Sequence, residues 1–407
     1  MSSVIFLVDM NAFFISCEMT RNRHLHGLPA AVAGDPDRRL GIILAANYEA
    51  RALGVRTAMT VHEALRKCPK IKLVPPDHDF YLKKSEEVMD LLYGFSSIIE
   101  PNSIDEAWLD MTGSLQLFGP PVVSAQRIMQ EIEQQLGLWC SIGISENKFL
   151  AKMASSIKKP QGITTLWINE IQEKMWPLPV DDLYGVGRKT AEKLTGYGIR
   201  TIGDLAAIDE GLLAGWFGKT GRMLSRHARG IDPDPVLPHQ TDAAKSIGRS
   251  ITLPQNLTHA DEAEPILLSL ADSVGRTARK NNRMGRTVQV VIKFSDFTVT
   301  TRQMNIPPSN STQHIYQAGC QLFRRSWKPS QEVRLLGITL SGFEIEGADR
   351  QISLLGKIDA SAADKRQVAV DQAMDRIRDR FGEKSIKRAR QIDAGENVDS
   401  SDEKGGG

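Results

Sequence analysis

Two adjacent carboxylates, Asp105 and Glu106, stand inside the otherwise apolar stretch from Ile104 to Leu109. Burying a carboxylate is costly unless it is paired or bound to a metal, so such a pair constrains what can surround it. Neighbouring side chains of a regular strand point to opposite faces, so both acids reach one ion only near a turn. Far upstream, Val4-Ile5-Phe6-Leu7-Val8 reads as a buried strand that ends at a third acid, Asp9. Two strands delivering three carboxylates to one edge would make a site for hard divalent cations. Magnesium suits oxygen ligands and brings its own waters and substrate phosphates. The competing reading is a hairpin whose acids cap the turn and face solvent.

The chain has 407 residues, enough for two to four domains with ample core, and its 25% charged and 41% hydrophobic residues are an ordinary soluble balance. Cys17, Cys68, Cys140 and Cys320 are scattered without the paired spacing of a zinc or redox site, as expected of reduced thiols in a cytosolic protein. The N-terminus lacks a basic region and its apolar run is broken by Asp9, so no signal peptide is expected, and no run approaches membrane-spanning length. The net charge is only +2, but from Lys245 to Arg334 there are 13 Lys and Arg against 6 Asp and Glu. The densest cluster is Arg276, Arg279, Lys280, Arg283 and Arg286, without compensating acids nearby in sequence. A basic module in a near-neutral chain points to a polyanionic partner. The acidic stretch from Asp393 to Glu403 reads as a disordered tail.

Along the chain, Asn11 is a plausible cap for a helix beginning Ala12-Phe13-Phe14, and two rings just after Asp9 could wall a substrate or simply fill core. Gly41 to Ala46 reads as a strand running into a helix at Asn47-Tyr48-Glu49-Ala50-Arg51. Tyr48 and Arg51 share one helical face, and a hydroxyl and a guanidinium near a helix start suit a triphosphate; a surface Arg stacked on a Tyr is the plainer reading. Helical spacing marks 79–92 and 122–137, and a strand follows at 139–144. Ser145 is the expected cap of a helix closing on Lys158-Lys159-Pro160-Gln161-Gly162. Residues 166–233 are helical in character. Within them Gly185-Val186-Gly187-Arg188-Lys189 resembles a phosphate-gripping turn, with Gly198 to Leu205 completing a helix-hairpin-helix. A Pro-rich linker near 232–239 leads to an α+β module, with strand alternation at 286–301 and 333–343 and a helix near 312–325. A helix from Lys365 to Phe381 precedes the tail.

Asp9-Met10-Asn11-Ala12-Phe13-Phe14, Ala46 to Arg51, Ser103 to Ala107 and Lys159 to Gly162 occur in the order seen in Y-family translesion DNA polymerases. With the Gly-Val-Gly hairpin, the chain resembles that family over roughly 3–345, and most of all its DinB class. The resemblance implies a multidomain α+β right-hand fold: palm at 1–10 and 78–165, fingers at 11–77, helical thumb at 166–233, linker at 234–244 and little finger at 245–345. The rest, 346–407, would hold a clamp-binding peptide, a helix and the tail. It implies low-fidelity, template-directed addition of deoxynucleotides to a primer 3′ end, without a 3′–5′ proofreading domain, in damage tolerance and induced mutagenesis. Asp9, Asp105 and Glu106 would be catalytic and hold two magnesium ions, assisted by the Met10 carbonyl. Phe13, Phe14, Tyr48, Arg51 and Lys159 would bind the nucleotide, with Phe14 as steric gate against a ribose 2′-hydroxyl. Gly185, Gly187, Arg188, Lys189 and the basic cluster from Arg276 to Arg286 would hold DNA. Gln351, Ser353, Leu354 and Leu355 resemble a sliding-clamp-binding motif, though its commoner form ends in Leu-Phe. The implied setting is a monomer at the nucleoid of a bacterial cytoplasm.

Two features lean towards the related UmuC class: Asn11, where DinB proteins usually carry Asp, and a clamp-like peptide followed by a helix. A non-catalytic polymerase-shaped relative would have lost palm carboxylates. A nuclease would need no aromatic gate or Tyr48/Arg51 pair, and a simple DNA-binding module leaves the acids unexplained.

Overall fold

The computed structural model describes residues 3–35, 39, 41–238, 244–343 and 362–389. The peptide bearing Gln351, Ser353, Leu354 and Leu355, and the acidic stretch at 393–403, lie outside them. Two compact units form, residues 1–36 with 41–242, and residues 37–40 with 243–407.

In the first unit, β1 (Ile5–Met10) turns through Ala12, held at φ 49°, into α1 (Phe13–Arg21). A small layer follows: β2 (Ala30–Ala33), β3 (Ile43–Ala46), α2 (Tyr48–Ala52), α3 (Val61–Lys67) and β4 (Lys72–Val74). Next come α4 (His78–Tyr93), the hairpin of β5 (Ile99–Pro101) and β6 (Glu106–Asp110), then α5 (Leu115–Phe118) and α6 (Pro121–Leu136). The palm-like layer closes with β7 (Cys140–Ser145), α7 (Lys148–Ile157) and β8 (Ile163–Thr165). The remainder is helical: α8 (Ile171–Lys174), α9 (Arg188–Gly196), α10 (Ile202–Ala207), α11 (Glu210–Phe217) and α12 (Lys219–Ala228).

The central sheet runs β5-β6-β1-β7-β8, antiparallel except for the last pair. Every residue of β1 is buried because strands flank it and helices cover both faces. The period-2 alternation of a strand divides its side chains. Phe6, Val8 and Met10 join the large core with α4 and α6, whereas Ile5 and Leu7 join Trp108 and Ala151 on the face covered by α7. The helix α7 lies so close to β7 that a Cβ on Gly143 would fall 2.0 Å from the Ala151 carbonyl oxygen. Only glycine permits that approach.

The second unit is a sheet ordered β11-β10-β12-β9 under two helices. Its elements are β9 (Ser246–Leu257), α13 (Ala260–Lys280), β10 (Gly285–Phe294), β11 (Val299–Ser309), α14 (Thr312–Ser326), β12 (Val333–Phe343) and α15 (Ala362–Phe381). The alternating stretch at 286–301 is not one strand but a hairpin, turning at 295–298, and β9 and α13 were not foreseen.

Three local expectations are corrected. Asn11 does not cap α1, whose N-cap is Ala12; its amide is spent on tertiary contacts described below. Asn147, not Ser145, caps α7, accepting from the Leu150 N–H at 2.8 Å, because the Ser145 hydroxyl donates to the Leu166 carbonyl instead. In the basic module, acids distant in sequence compensate the arginines. The Arg279 guanidinium grips Asp375 through Nε and Nη2 at 2.6 and 3.0 Å, and Arg276 bonds Asp379 at 2.7 Å and pairs with Glu383. Both arginine side chains are under 10% exposed, so they anchor α15 to α13 and do not offer free cations to DNA. Lys280 is exposed and pairs with Asp379 at 3.3 Å.

Candidate active site

Antiparallel pairing sets Asp9 of β1 directly opposite Glu106 of β6. Opposed residues share a face, so both carboxylates project to the α7 side. Asp105 lies in the turn just before β6, where its carbonyl accepts the Met10 N–H at 2.9 Å. The acids therefore do sit at a hairpin end, but Asp9 and Glu106 are buried. They converge on one cation. The Lys152 ammonium of α7 bonds Glu106 and lies 3.4 Å from Asp9 Oδ2, while Lys159 Nζ is 2.6 Å from Asp9 Oδ1. Glu106 also accepts from the Asn102 amide. The Asp105 carboxylate accepts from the Ser103 hydroxyl at 2.5 Å.

The register explains why α7 serves this row. Lys148 and Lys152 are one helical turn apart, about 6 Å. Leu7 and Asp9, or Trp108 and Glu106, are two strand residues apart, about 6.8 Å. Lys148 thus reaches Glu100 at 3.0 Å over the Trp108 ring, and Lys152 reaches the next acidic row. Burial pulls the Lys152 pKa down, but Glu106 and Asp9 together outweigh it and hold the ammonium above its ordinary value.

These acids floor a cavity of about 400 Å³ that also takes in Phe13, Phe14, Tyr48, Arg51, Asp105 and Lys159. Asn47 caps α2 and so holds Tyr48 and Arg51 at the rim. The Arg51 guanidinium stacks over the Tyr48 ring at 5.0 Å, and its Nε donates to the Ala46 carbonyl at 2.8 Å. The Tyr48 hydroxyl is buried without a hydrogen-bond partner, and burial, opposed by Arg51 and reinforced by Asp9, raises its pKa. Phe13 is 3% exposed and mostly core, whereas Phe14 forms a wall, stacked on Tyr81. Asn11 ties the Lys159 loop down: its Nδ2 donates to Ser141 Oγ at 3.0 Å, and its Oδ1 accepts from the Gln161 N–H at 2.8 Å.

The site fits a hard cation in its donors, since two buried carboxylates already converge on one positive charge. Among the described residues, no three His, Cys, Asp or Glu side chains are gathered closely enough to ligate one ion as they stand. Lys152 fills the space, and Asp105 is turned to Ser103. Sequence reading passed over Lys152, Asn102 and Ser103. The signal for Lys152 was a lysine inside a helix otherwise lined by Phe149, Leu150, Ala151, Met153 and Ala154.

Comparison with known proteins decides the family. A model described as the impB/mucB/samB family matches residues 8–156, its C-terminal domain model matches 244–354, and the family's HHH-motif model matches 169–199. A DNA polymerase IV of Alkaliphilus oremlandii is 52% identical over 393 residues, 96% of this chain and 99% of that protein. Another, from Clostridium kluyveri, is 51% identical over 390 residues, covering 95% and 98%. A solved Y-family DNA polymerase chimera of Dbh and Dpo4 has a TM-score of 0.75 at 27% identity, covering 84% of this chain and 99% of that one. The chain belongs to the Y family of DNA polymerases. Its fold class is the mixed α+β one of that family, with a helical thumb motif and a little-finger domain. It is a DNA-directed DNA polymerase of the translesion type, on the DinB side, with primer-template DNA and nucleotides as substrates. Catalysis in this family depends on divalent metal.

In this Y-family chain the thumb hairpin turns at Gly185, where φ is 96°, and Gly187 is the N-cap of α9. The matched motif ends at 199, so its downstream helix is α9, and α10 lies beyond it. Arg188 and Lys189 are exposed at the α9 start, with Arg188 within 3.6 Å of Glu192. Arg283 lies in the turn after α13, and Arg286 is exposed on β10. No helix among the described residues is long and apolar enough to cross a membrane.

Proposed function

We infer that Asp9, Asp105 and Glu106 hold two magnesium ions, with the Met10 carbonyl assisting, for nucleotide addition to a primer 3′ end. The observation that carries this reading is the opposed, buried Asp9–Glu106 pair at the floor of a cavity rimmed by Tyr48, Arg51 and Lys159. When bound, the ions lower the pKa of the 3′-hydroxyl and neutralise charge on the triphosphate during in-line attack. The chain's own residues do the positioning. The orphaned Tyr48 hydroxyl gains an acceptor when a phosphate oxygen enters. Arg51, its Nε spent on Ala46, presents its Nη groups to the same phosphates. Lys159 exchanges Asp9 for the triphosphate, and the wall made by Phe14 rejects a 2′-hydroxyl by exclusion.

DNA is held by backbone contacts. The N–H groups at the start of α9, unpaired within the helix, suit a phosphate beside Arg188 and Lys189. In the little finger, the role first given to Arg276 and Arg279 passes to Lys280, Arg283 and Arg286. The outward row of Thr287, Gln289, Thr339 and Ser341 joins them, paired across β10 and β12. Such neutral donors position a duplex without reading its bases. The sequence-derived boundaries of palm, fingers, thumb and little finger belong to this reading. So do a sliding clamp meeting the peptide at Gln351, a monomeric state, and a place at the bacterial nucleoid.

Primer extension with magnesium and all four deoxynucleotides, beside Asp105→Ala, tests it. Loss of about 100-fold or more in the variant is expected, as for removal of a metal ligand. Intact DNA binding without extension in the native chain would make it an accessory protein, and primer shortening would make it a nuclease.

A further inference from the structure

We propose that Lys152 is the resident counter-cation of the Asp9–Glu106 pair, displaced towards Tyr184 when divalent cations bind, and thereby sets how tightly this site takes metal. The inference rests on the reading of Asp9 and Glu106 as metal ligands. The three side chains are among the least exposed charged groups around the cavity: Asp9 10%, Glu106 11% and Lys152 14%. Two carboxylates facing each other on adjacent strands repel when nothing positive lies between them. Lys152 supplies that charge, bonded to Glu106 and 3.4 Å from Asp9. An ammonium and a divalent cation cannot share one pair of carboxylates, because their charges would lie a few ångströms apart in a water-poor site.

The displaced ammonium has somewhere to go. The Tyr184 ring is 5.8 Å from Lys152 Nζ, already at cation–π distance, and Tyr184 is 44% exposed. The Lys152 backbone, by contrast, cannot retreat, because α7 is seated on Gly143 with no room for a Cβ. Exchange must therefore come from the flexible side chain. Lys159 plays a different part: it is 30% exposed, pairs with Asp9 but, among the described residues, not with Glu106, and follows the helix. A lysine that merely neutralised charge for folding would affect stability and leave metal affinity unchanged.

The test uses the full chain without nucleotide and Mn²⁺ alone, with free Mn²⁺ counted by electron paramagnetic resonance. Lys152→Met is expected to bind Mn²⁺ at least about tenfold more tightly, the competing ion pair being gone. Its melting point in chelator is expected to fall, with a larger recovery on adding Mn²⁺ than the native chain shows. Unchanged or weaker Mn²⁺ binding by the variant overturns the proposal while leaving the metal ligands standing. No Mn²⁺ binding by the native chain overturns both. Should Lys152→Met fail to fold, the native protein is labelled with an amine-reactive reagent with and without Ca²⁺. Labelling of Lys152 is expected to rise several-fold over Lys148, which stays paired with Glu100 at 3.0 Å. An unchanged or slower rate for Lys152 overturns the displacement.

Discussion

The Phe14 ring lies flat on Tyr81, centroids 4.5 Å apart and planes 14° from parallel. Tyr81 is itself anchored. It is fully buried, and its hydroxyl donates to Glu18 Oε1 at 2.7 Å, while Glu18 is gripped by Arg21 through Nε and Nη2 at 2.9 and 2.8 Å. On the proposed reading of Phe14 as the gate, the wall excludes a 2′-hydroxyl only if it does not yield, and this stack backs it. Phe14→Ala is expected to cut discrimination against ribonucleotides, measured as the ratio of kcat/KM values, by about 10–200-fold. Tyr81→Leu leaves the ring of Phe14 in place but unsupported and should give a smaller loss in the same direction. Discrimination unchanged in Tyr81→Leu would separate the gate from its support.

Asn11 connects β7 to the loop that carries Lys159. Asn11→Ala leaves the Gln161 N–H, in a part-buried hydrogen bond, without its 2.8 Å acceptor, at a cost of about 1 kcal/mol. The expected kinetic signature is a higher KM for the incoming nucleotide with a smaller change in kcat, because the loop carries Lys159, proposed above to meet the triphosphate. Asn11→Asp retains the acceptor and should recover most of the loss.

Arg279 is expected to report on folding. Arg279→Met would strip Asp375 of its bidentate partner, leaving it Arg276 at 4.0 Å, while Asp371 keeps Arg388; the cost is at most about 3–5 kcal/mol in thermal or denaturant unfolding. Duplex affinity at fixed salt should hold in the folded fraction. Arg286→Ala, an exposed residue at the start of β10, should weaken duplex binding and lower the melting point less than Arg279→Met does.

His227 makes stability depend on pH. Its ring stacks on Phe149 at 4.1 Å, its Nδ1 is buried without a partner, and burial, opposed by Asp232 and Asp234, lowers its pKa below the ordinary 6.5. Above that ordinary value both folded and unfolded states are neutral and nothing is gained or lost. As the pH falls below it, the unfolded chain takes up the proton first, so stability declines until the folded-state pKa is passed, by at most about 1.4 kcal/mol per pH unit. His227→Phe should flatten the unfolding free energy between roughly pH 6.5 and 5 relative to the native chain. A native curve already flat there would remove His227 from the account.

What sequence alone determined is local and periodic. The buried runs of β1, β7 and β12 and the amphipathic spacing of α4, α6 and α14 all follow from neighbours a few residues away, and β12 spans Val333–Phe343 as expected. The ordered motifs likewise named every acid and cation at the cavity except Lys152. Tertiary structure decided which charges meet. Lys152 and Asp9 are 143 residues apart, and Arg279 and Asp375 are 96 apart. No periodicity spans such distances, so neither the place of Lys152 between two acids nor the pairing of Arg276 and Arg279 follows from local pattern. Asn11 shows the same limit: capping is a local option, but its amide was claimed by Ser141, 130 residues on. Burial follows from the repeat of a strand or helix, whereas a charge or hydrogen bond is satisfied by whatever the packed fold brings within about 3 Å.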